Sequence, residues 1–264
     1  MKKDCFGIMS LLMVACAGGE KNAGEGDSHG DKAVRFETYS YDVVAEVAGG
    51  DSIENTDGSR YCHMAGEAVI PVKVGKSDIT FLRDSLMRLA GLTFVSENRA
   101  DPRLEAGMKM TTLKPDSADA CSSATNTLVV SLLTPRLIVW KDYASSYICK
   151  AAHGSYSTTY VNYSVEENKI LELSDLMKDG YQKPLAELIR SRLIEDRVDL
   201  IVPAEEIEAP SDFRITSTGL TFIYGIYEIA PYSSGEINVA FDGYELDSLL
   251  KPGVLNLIYG SSAD

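Results

Sequence analysis

The stretch Gly219–Gly235, which reads GLTFIYGIYEIAPYSSG, sets the tightest limit on what this chain can fold into. Leu220-Thr221-Phe222-Ile223-Tyr224 is rich in β-branched and aromatic side chains, which suit a pleated, half-buried surface. Gly225 permits a bulge or a sharp bend where that strand ends. Pro231 cannot donate to a ladder and holds Ala230 extended, so Tyr227-Glu228-Ile229-Ala230-Pro231-Tyr232 is expected as a loop or a sheet edge. After Gly235, Ile237-Asn238-Val239-Ala240-Phe241 alternates apolar and polar, the pattern of a returning strand. The expectation is a β-arch whose stiff crest carries an acid and two phenols.

The first residues read as an address. Lys2 and Lys3 precede an apolar run from Phe6 to Ala15, shorter than the ~20 residues a membrane-spanning helix needs. The run closes on Leu12-Met13-Val14-Ala15-Cys16, which resembles the lipobox of bacterial lipoproteins, with Met13 and Val14 in place of its usual Leu and Ala or Ser. The resemblance implies a lipoprotein signal peptide over 1–15, cleavage before Cys16, and acyl chains on its sulfur. Several such chains anchor a protein stably where one does not. A plain secretory peptide is the alternative. With the anchor, the expected location is the cell envelope, at the outer membrane or cell surface. Residues 16–33 are Gly-, Glu-, Asp-, Ser- and Asn-rich without an apolar period, as a flexible linker is. Gly26-Asp27-Ser28-His29-Gly30 fits G-x-S-x-G, but that motif works only between a strand and a helix, and a tether offers neither.

Order begins at Val34. Tyr39–Val47 and Ala68–Val74 read as strands, the second as an edge because of Pro71. Ile79, Leu82, Leu86, Leu89 and Ala90 repeat at helical spacing, with Ser77 or Asp78 as caps and Gly91 as the stop. Ala100–Ala124 is polar and irregular, as a long loop is. Thr127–Trp140 reads as one strand bent at Pro135, and Tyr143–Cys149 and Tyr156–Val165 as two more. Leu173–Met177 begins a short capped helix. Pro184–Arg197 is the clearest helix, with Leu185, Leu188, Ile189, Leu193 and Ile194 on one face and Pro184 in its first turn. Tyr244–Leu250 is expected as a closing helix, with Asp242 and Glu245 near its start. The class is α+β: a mainly antiparallel sheet with helices packed on one side, in two small subdomains, 34–125 and 126–264.

Ala152-His153-Gly154, Asn162-Tyr163-Ser164-Val165, Leu173-Ser174-Asp175-Leu176, Gly219-Leu220-Thr221-Phe222 and Tyr227–Gly235 occur in that order. Together they resemble the RsiV-like domain of unknown function. That domain is found in the lysozyme-sensing anti-sigma factor RsiV and beside the catalytic domain of the peptidoglycan deacetylase PdaC. The resemblance covers about Tyr143–Gly253 and implies an α+β domain. By analogy it implies a binding role toward lysozyme, a small, strongly basic protein. The cytoplasmic sigma-binding segment and the deacetylase histidines of those relatives have no counterpart in this sequence.

The formal net charge of −14 and the lack of basic runs argue against nucleic acid as a partner. An acidic field instead speeds encounter with a basic protein. The histidines are His29, His63 and His153, and no H-E-x-x-H, paired Cys-x-x-Cys or EF-hand loop is present, so no metal or cofactor is expected. His153 before Gly154 can be a ligand or base, or a turn histidine bonded to backbone. Glu228 either helps bind a basic partner, flanked by Tyr227 and Tyr232, or accepts backbone N–H groups and pins the arch. Among Cys62, Cys121 and Cys149 an exported chain can form one disulfide, with Cys121–Cys149 the expected pair and three buried thiols the alternative. The leading expectation is a non-catalytic, lipid-anchored envelope protein. Tyr224, Tyr227, Glu228, Tyr232 and His153 would be its contact residues, and a lysozyme-like or other basic protein, or peptidoglycan, its ligand. The alternative is an accessory to a peptidoglycan hydrolase or deacetylase, or a weak cell-wall enzyme, with Glu228 and His153 in a cleft.

Overall fold

A computed structural model of the chain describes residues 33–46, 61–92, 94–96, 99–100, 122–148 and 151–260. The signal peptide, Cys16, the linker with its G-x-S-x-G motif, His29, Cys121 and Cys149 lie outside the described residues, as does the side chain of Cys62. Among the described residues the fold is α+β, with nine strands in two mostly antiparallel sheets and a separate short ribbon of β3 (Phe94–Ser96) and β4 (Arg99–Ala100). The chain divides into two compact units. Of the described residues, one unit holds those up to Val129 together with Asp142–Tyr156, and the other holds Val130–Lys141 and those from Ser157 onward.

In the first unit, β1 (Val34–Glu46) and β2 (Tyr61–Val74) form an antiparallel pair running from Val34 opposite Val74 to Glu46 opposite Tyr61. Both strands are longer than their apolar runs suggest. β2 also pairs in parallel with β5 (Ser122–Leu133), from Cys62 opposite Ser122 to Ala68 opposite Leu128, so β2 is not an edge strand. The pairing with β5 stops at Ala68, and the facing β1 strand is bulged between Arg35 and Phe36. Pro71 therefore sits where the ladder has one neighbour only, which is where a residue without an N–H is tolerated.

Alternation puts Met64, Ala68, Ile70 and Val74 on the buried face of β2. Helix α1 (Thr80–Leu89) packs against β2 and buries Leu82, Leu86 and Met87. The Asp78 carboxylate accepts the Thr80 N–H at 3.0 Å and its hydroxyl at 2.7 Å, and these two bonds hold its pKa below the usual range. At the other end Gly91 has φ +70°, its N–H reaches Arg88 O, and the Leu92 N–H reaches Met87 O. That paired closure is a Schellman motif, and the left-handed residue in it favours glycine.

The second unit takes in the end of β5 from Val130, the start of β6 (Leu137–Ile148) up to Lys141, β7 (Ser155–Ser164) from Ser157, and β8 (Lys169–Ile170). Thr127–Trp140 is not one bent strand: β5 ends at Leu133 and β6 begins at Leu137. Thr134 closes the turn, donating its N–H to Leu137 O at 2.8 Å while its hydroxyl accepts the N–H groups of Leu137 and Arg136. A side chain able to accept two backbone N–H groups makes the stretch around Pro135 a hairpin loop. Helix α2 (Leu173–Leu176) starts where the Asp175 carboxylate accepts the Glu172 N–H at 2.9 Å and meets the Lys169 ammonium. Burial works against the Asp175 charge, but the Glu172 N–H and Lys169 outweigh it and hold the carboxyl below its ordinary range.

Asp175→Ala is expected to cost about 1 kcal/mol, the usual worth of a helix cap. A depressed folded pKa means that this contribution is present above the ordinary aspartate value of about 3.9 and fades as pH falls through the folded value. Melting curves of both proteins should therefore differ at neutral pH and converge at about pH 2.

Helix α3 (Gln182–Glu195) buries Leu185, Ala186, Ile189 and Leu193. Leu188 and Ile194 are exposed, contrary to expectation, because the stripe that meets the core is completed by Ala186. The second sheet has the order β11-β10-β9, from β9 (Phe213–Ile215), β10 (Gly219–Tyr224) and β11 (Ile237–Asp242). Tyr244–Leu250 is a run of turns, not a helix. Its hydrogen bonds mostly reach back three residues, and its end is drawn straight to bridge Met177 at Leu250. The closing helix is instead α4 (Val254–Tyr259), after Gly253 at φ +90°. The core of this unit gathers Leu137, Val139, Leu185, Ile189, Phe222 and Leu246.

Candidate binding crest and an adjoining hollow

The expected arch is present. β10 and β11 pair antiparallel from Gly219 opposite Asp242 to Tyr224 opposite Ile237. All of β10 is buried, as befits the middle strand of its sheet, whereas β11 alternates. Phe222 and Phe241 meet edge to face with centroids 6.0 Å apart.

Beyond Tyr224 the chain turns at once. The Glu228 carboxylate accepts the Gly225 N–H at 2.7 Å, and the Glu228 N–H donates to Gly225 O at 3.2 Å. Inside that turn Tyr227 has φ +64°, a left-handed conformation that costs a non-glycine residue roughly 1–2 kcal/mol. Ile229 and Ala230 are buried, and Ile229 O accepts the Ile201 N–H. Pro231 then leads into a 3-10 turn, Tyr232–Ser234, which Gly235 ends at φ +69°. The crest is thus anchored at its middle and closed by hydrogen bonds on both sides. The rings of Tyr227 and Tyr232 lie 5.6 Å apart, and Tyr227 is 53 % exposed.

The sequence-derived contact residues separate into three kinds. Tyr227, Glu228 and Tyr232 come together on the crest, and Glu228 both pins the turn and remains exposed. Tyr224 is 2 % exposed and lies beneath, donating its hydroxyl to Glu208 O at 2.6 Å. Burial, aided by the nearby Glu228 charge and opposed by Arg190, pushes the Tyr224 phenol far above its usual pKa. His153 belongs to the first unit, is exposed, and shares a hydrogen bond between Nδ1 and Gly154 O at 2.9 Å. Among the described residues, no group of three or more His, Cys, Asp or Glu is placed to hold a metal ion, and no helix is long and apolar enough to cross a membrane.

Sequence reasoning missed a hollow of about 530 Å³ in the second unit, lined in part by Tyr160, Asn162, Glu172, Ser174, Tyr181 and Asp212. The Asp212 carboxyl is pushed up by burial and then by the Glu236 charge. Glu236 directly follows the crest and accepts the Thr158 N–H. The lining residues come from separate segments, so no spacing in the sequence announces them.

Residues 174–242, from α2 through β11, match the family model described as "Protein of unknown function (DUF3298)". This stretch is a DUF3298 domain. It contains the whole crest, Tyr181 and Asp212, while Tyr160, Asn162 and Glu172 precede it. Two solved structures of DUF3298 proteins share the fold. A DUF3298 family member from Bacteroides fragilis aligns with a TM-score of 0.65 at 19 % identity, over 88 % of this chain and all of that one (100 %). A DUF3298 family protein from Pseudomonas aeruginosa PAO1 aligns at 0.60 and 20 % identity, over 88 % of this chain and 99 % of that one. No curated protein matches the chain. At these identities the likeness is one of fold, and the DUF3298 description itself names no activity.

Proposed function

We propose that this chain is a lipid-anchored protein of the cell envelope that binds a basic protein, lysozyme-like proteins foremost, through the crest Gly225–Gly235 and carries out no chemistry. The observation that carries the reading is the pairing of Tyr227 and Tyr232 beside the exposed Glu228 carboxylate on a strained, hydrogen-bonded turn. Rigid aromatic area with polar tips is what binding hot spots favour. Backbone strain persists only where the surroundings over-determine it, and such strain clusters at ligand clamps. A sequence of formal net charge −14 supplies the complementary field for a basic partner. The RsiV-like resemblance, strongest in the YEIAPY stretch, names lysozyme as the first partner to try, and the lipobox resemblance at Cys16 supports the anchor.

The test is affinity for hen egg-white lysozyme, measured with the purified full-length chain. Glu228→Gln keeps an acceptor for the Gly225 N–H and removes the charge, so the turn survives. It is expected to weaken binding about tenfold, and Tyr232→Ala by a similar factor. Both losses should shrink the margin over a neutral control protein. Wild-type protein that ignores lysozyme, or a Glu228→Gln variant that binds equally well, would overturn the proposal.

A further inference from the structure

The hollow beside the crest has its own chemistry. Two carboxylates, Glu172 and Asp212, and two phenols, Tyr160 and Tyr181, stand on its walls, with Ser174 supplying a further polar group. Three nearby cations are already engaged. Lys169 is held by Asp175, Lys251 donates to Ser174 O at 2.6 Å, and the Arg214 guanidinium lies 5.3 Å from the Tyr160 ring centre. Asp212 differs from all of these. No cation among the described residues pairs with its side chain, and the charge acting on it is the like charge of Glu236. Asp212 is itself open to solvent on the wall of the hollow, so an incoming cation can reach its carboxylate and relieve its repulsion from Glu236.

We propose that this hollow receives a cationic side chain, a lysine or arginine, from the basic protein that the crest binds. The idea deepens the crest reading and rests on it for the identity of the partner, but its chemistry is local. Asp212 meets the positive group, with Glu172, whose carboxylate also accepts the Asp175 N–H, and the aromatic Tyr181 on the same lining. Pro210 and Phe213 give the apolar wall against which a long aliphatic stem can lie. Hollow and crest are joined through the chain itself. Tyr224 ties β10 to Glu208, just before Ala209 and Pro210, and Glu236 leads out of the crest.

Tetralysine is the probe, titrated calorimetrically into the full-length protein at low salt. Wild type is expected to bind it, and Asp212→Asn to lose at least tenfold in affinity. The backbone bond from the Ile223 N–H to Asp212 O is untouched by that change, so the fold is kept. Tyr181→Ala should also weaken binding severalfold. Glu205→Gln, which removes an equal charge from an exposed position outside the hollow, should leave it within twofold. Failure of wild type to bind tetralysine, or equal losses in Asp212→Asn and Glu205→Gln, would overturn the inference. The crest reading is separable: if Glu228→Gln still weakens lysozyme binding while Asp212→Asn leaves tetralysine binding unchanged, the hollow is excluded and the crest stands.

Discussion

Gly219→Ala is expected to abolish the folded second unit, leaving little soluble protein and no cooperative melt. A methyl group built at Gly219 would stand 2.0 Å from Phe241 O, 2.7 Å from Gly243 N and 2.9 Å from Asp242 C. All three are backbone atoms, so no side chain can swing aside to make room. Gly219 pairs with Asp242 at the start of the β10–β11 ladder, and opening that ladder would unseat Phe222 and Phe241. Overpacking a core by a methylene usually costs about 1–3 kcal/mol. A backbone collision of this kind belongs to the rarer class of about 4 kcal/mol or more. Gly180→Ala supplies the contrast: its added methyl meets nothing within 4 Å and only the φ of +77° is strained, a penalty of about 1–2 kcal/mol. A Gly219→Ala protein that melts within a few degrees of wild type would show that the Phe241–Gly243 backbone does not crowd Gly219.

The second large effect is expected at Asn162, which is 2 % exposed. Strand β9 is the outer strand of its sheet, and its bonds to β10 fall on alternate residues. The Ile223 N–H donates to Asp212 O and the Thr216 N–H to Gly219 O. That alternation leaves Phe213 C=O and Ile215 N–H on the outer side. The Asn162 amide serves both, with Nδ2 donating to Phe213 O at 2.9 Å and Oδ1 accepting the Ile215 N–H at 2.8 Å. One side chain thus stands in for a missing strand.

Asn162→Ala would strand two buried backbone groups and should cost roughly 2–5 kcal/mol, read from denaturant unfolding. Asn162→Asp is the sharper probe. At neutral pH its carboxylate would oppose the Phe213 carbonyl, so burial and repulsion raise its folded pKa above the unfolded one. Stability would then be highest below the ordinary aspartate range and fall as pH rises through the folded value. Asn162→Asp should therefore recover part of its lost stability at about pH 3. An Asn162→Asp variant as stable as wild type at pH 7 would show that the amide is not shared in this way.

Much of the arch could be read in advance because its signals are local. The alternation of Ile237–Phe241 and the β-branched run of Leu220–Ile223 each determine a strand without help from distant residues. Gly91 likewise marks a helix end by its own conformational habit. What could not be read depends on partners far away in the chain. Tyr224 looks like a surface aromatic at a strand end, yet it is buried because Glu208 supplies an acceptor beneath it. Tyr244–Leu250 has a helical spacing of apolar residues, but Leu250 is taken up by Met177. Asp212 acquires its character from Glu236 and from burial. Asn162 belongs to a stretch that carries the family resemblance, but nothing in the sequence says that its amide bonds Phe213 and Ile215.

The second unit is assembled from two lengths of chain, 130–141 and everything after Tyr156. Leu137 and Val139, from the shorter length, sit in the same apolar cluster as Phe222 and Leu246. Scissors placed at the limits of the DUF3298 match would discard both residues along with Asn162, and leave hydrophobic side chains of β10 facing water. The smallest portion of this protein able to display the tyrosine-flanked acid is consequently larger than residues 174–242.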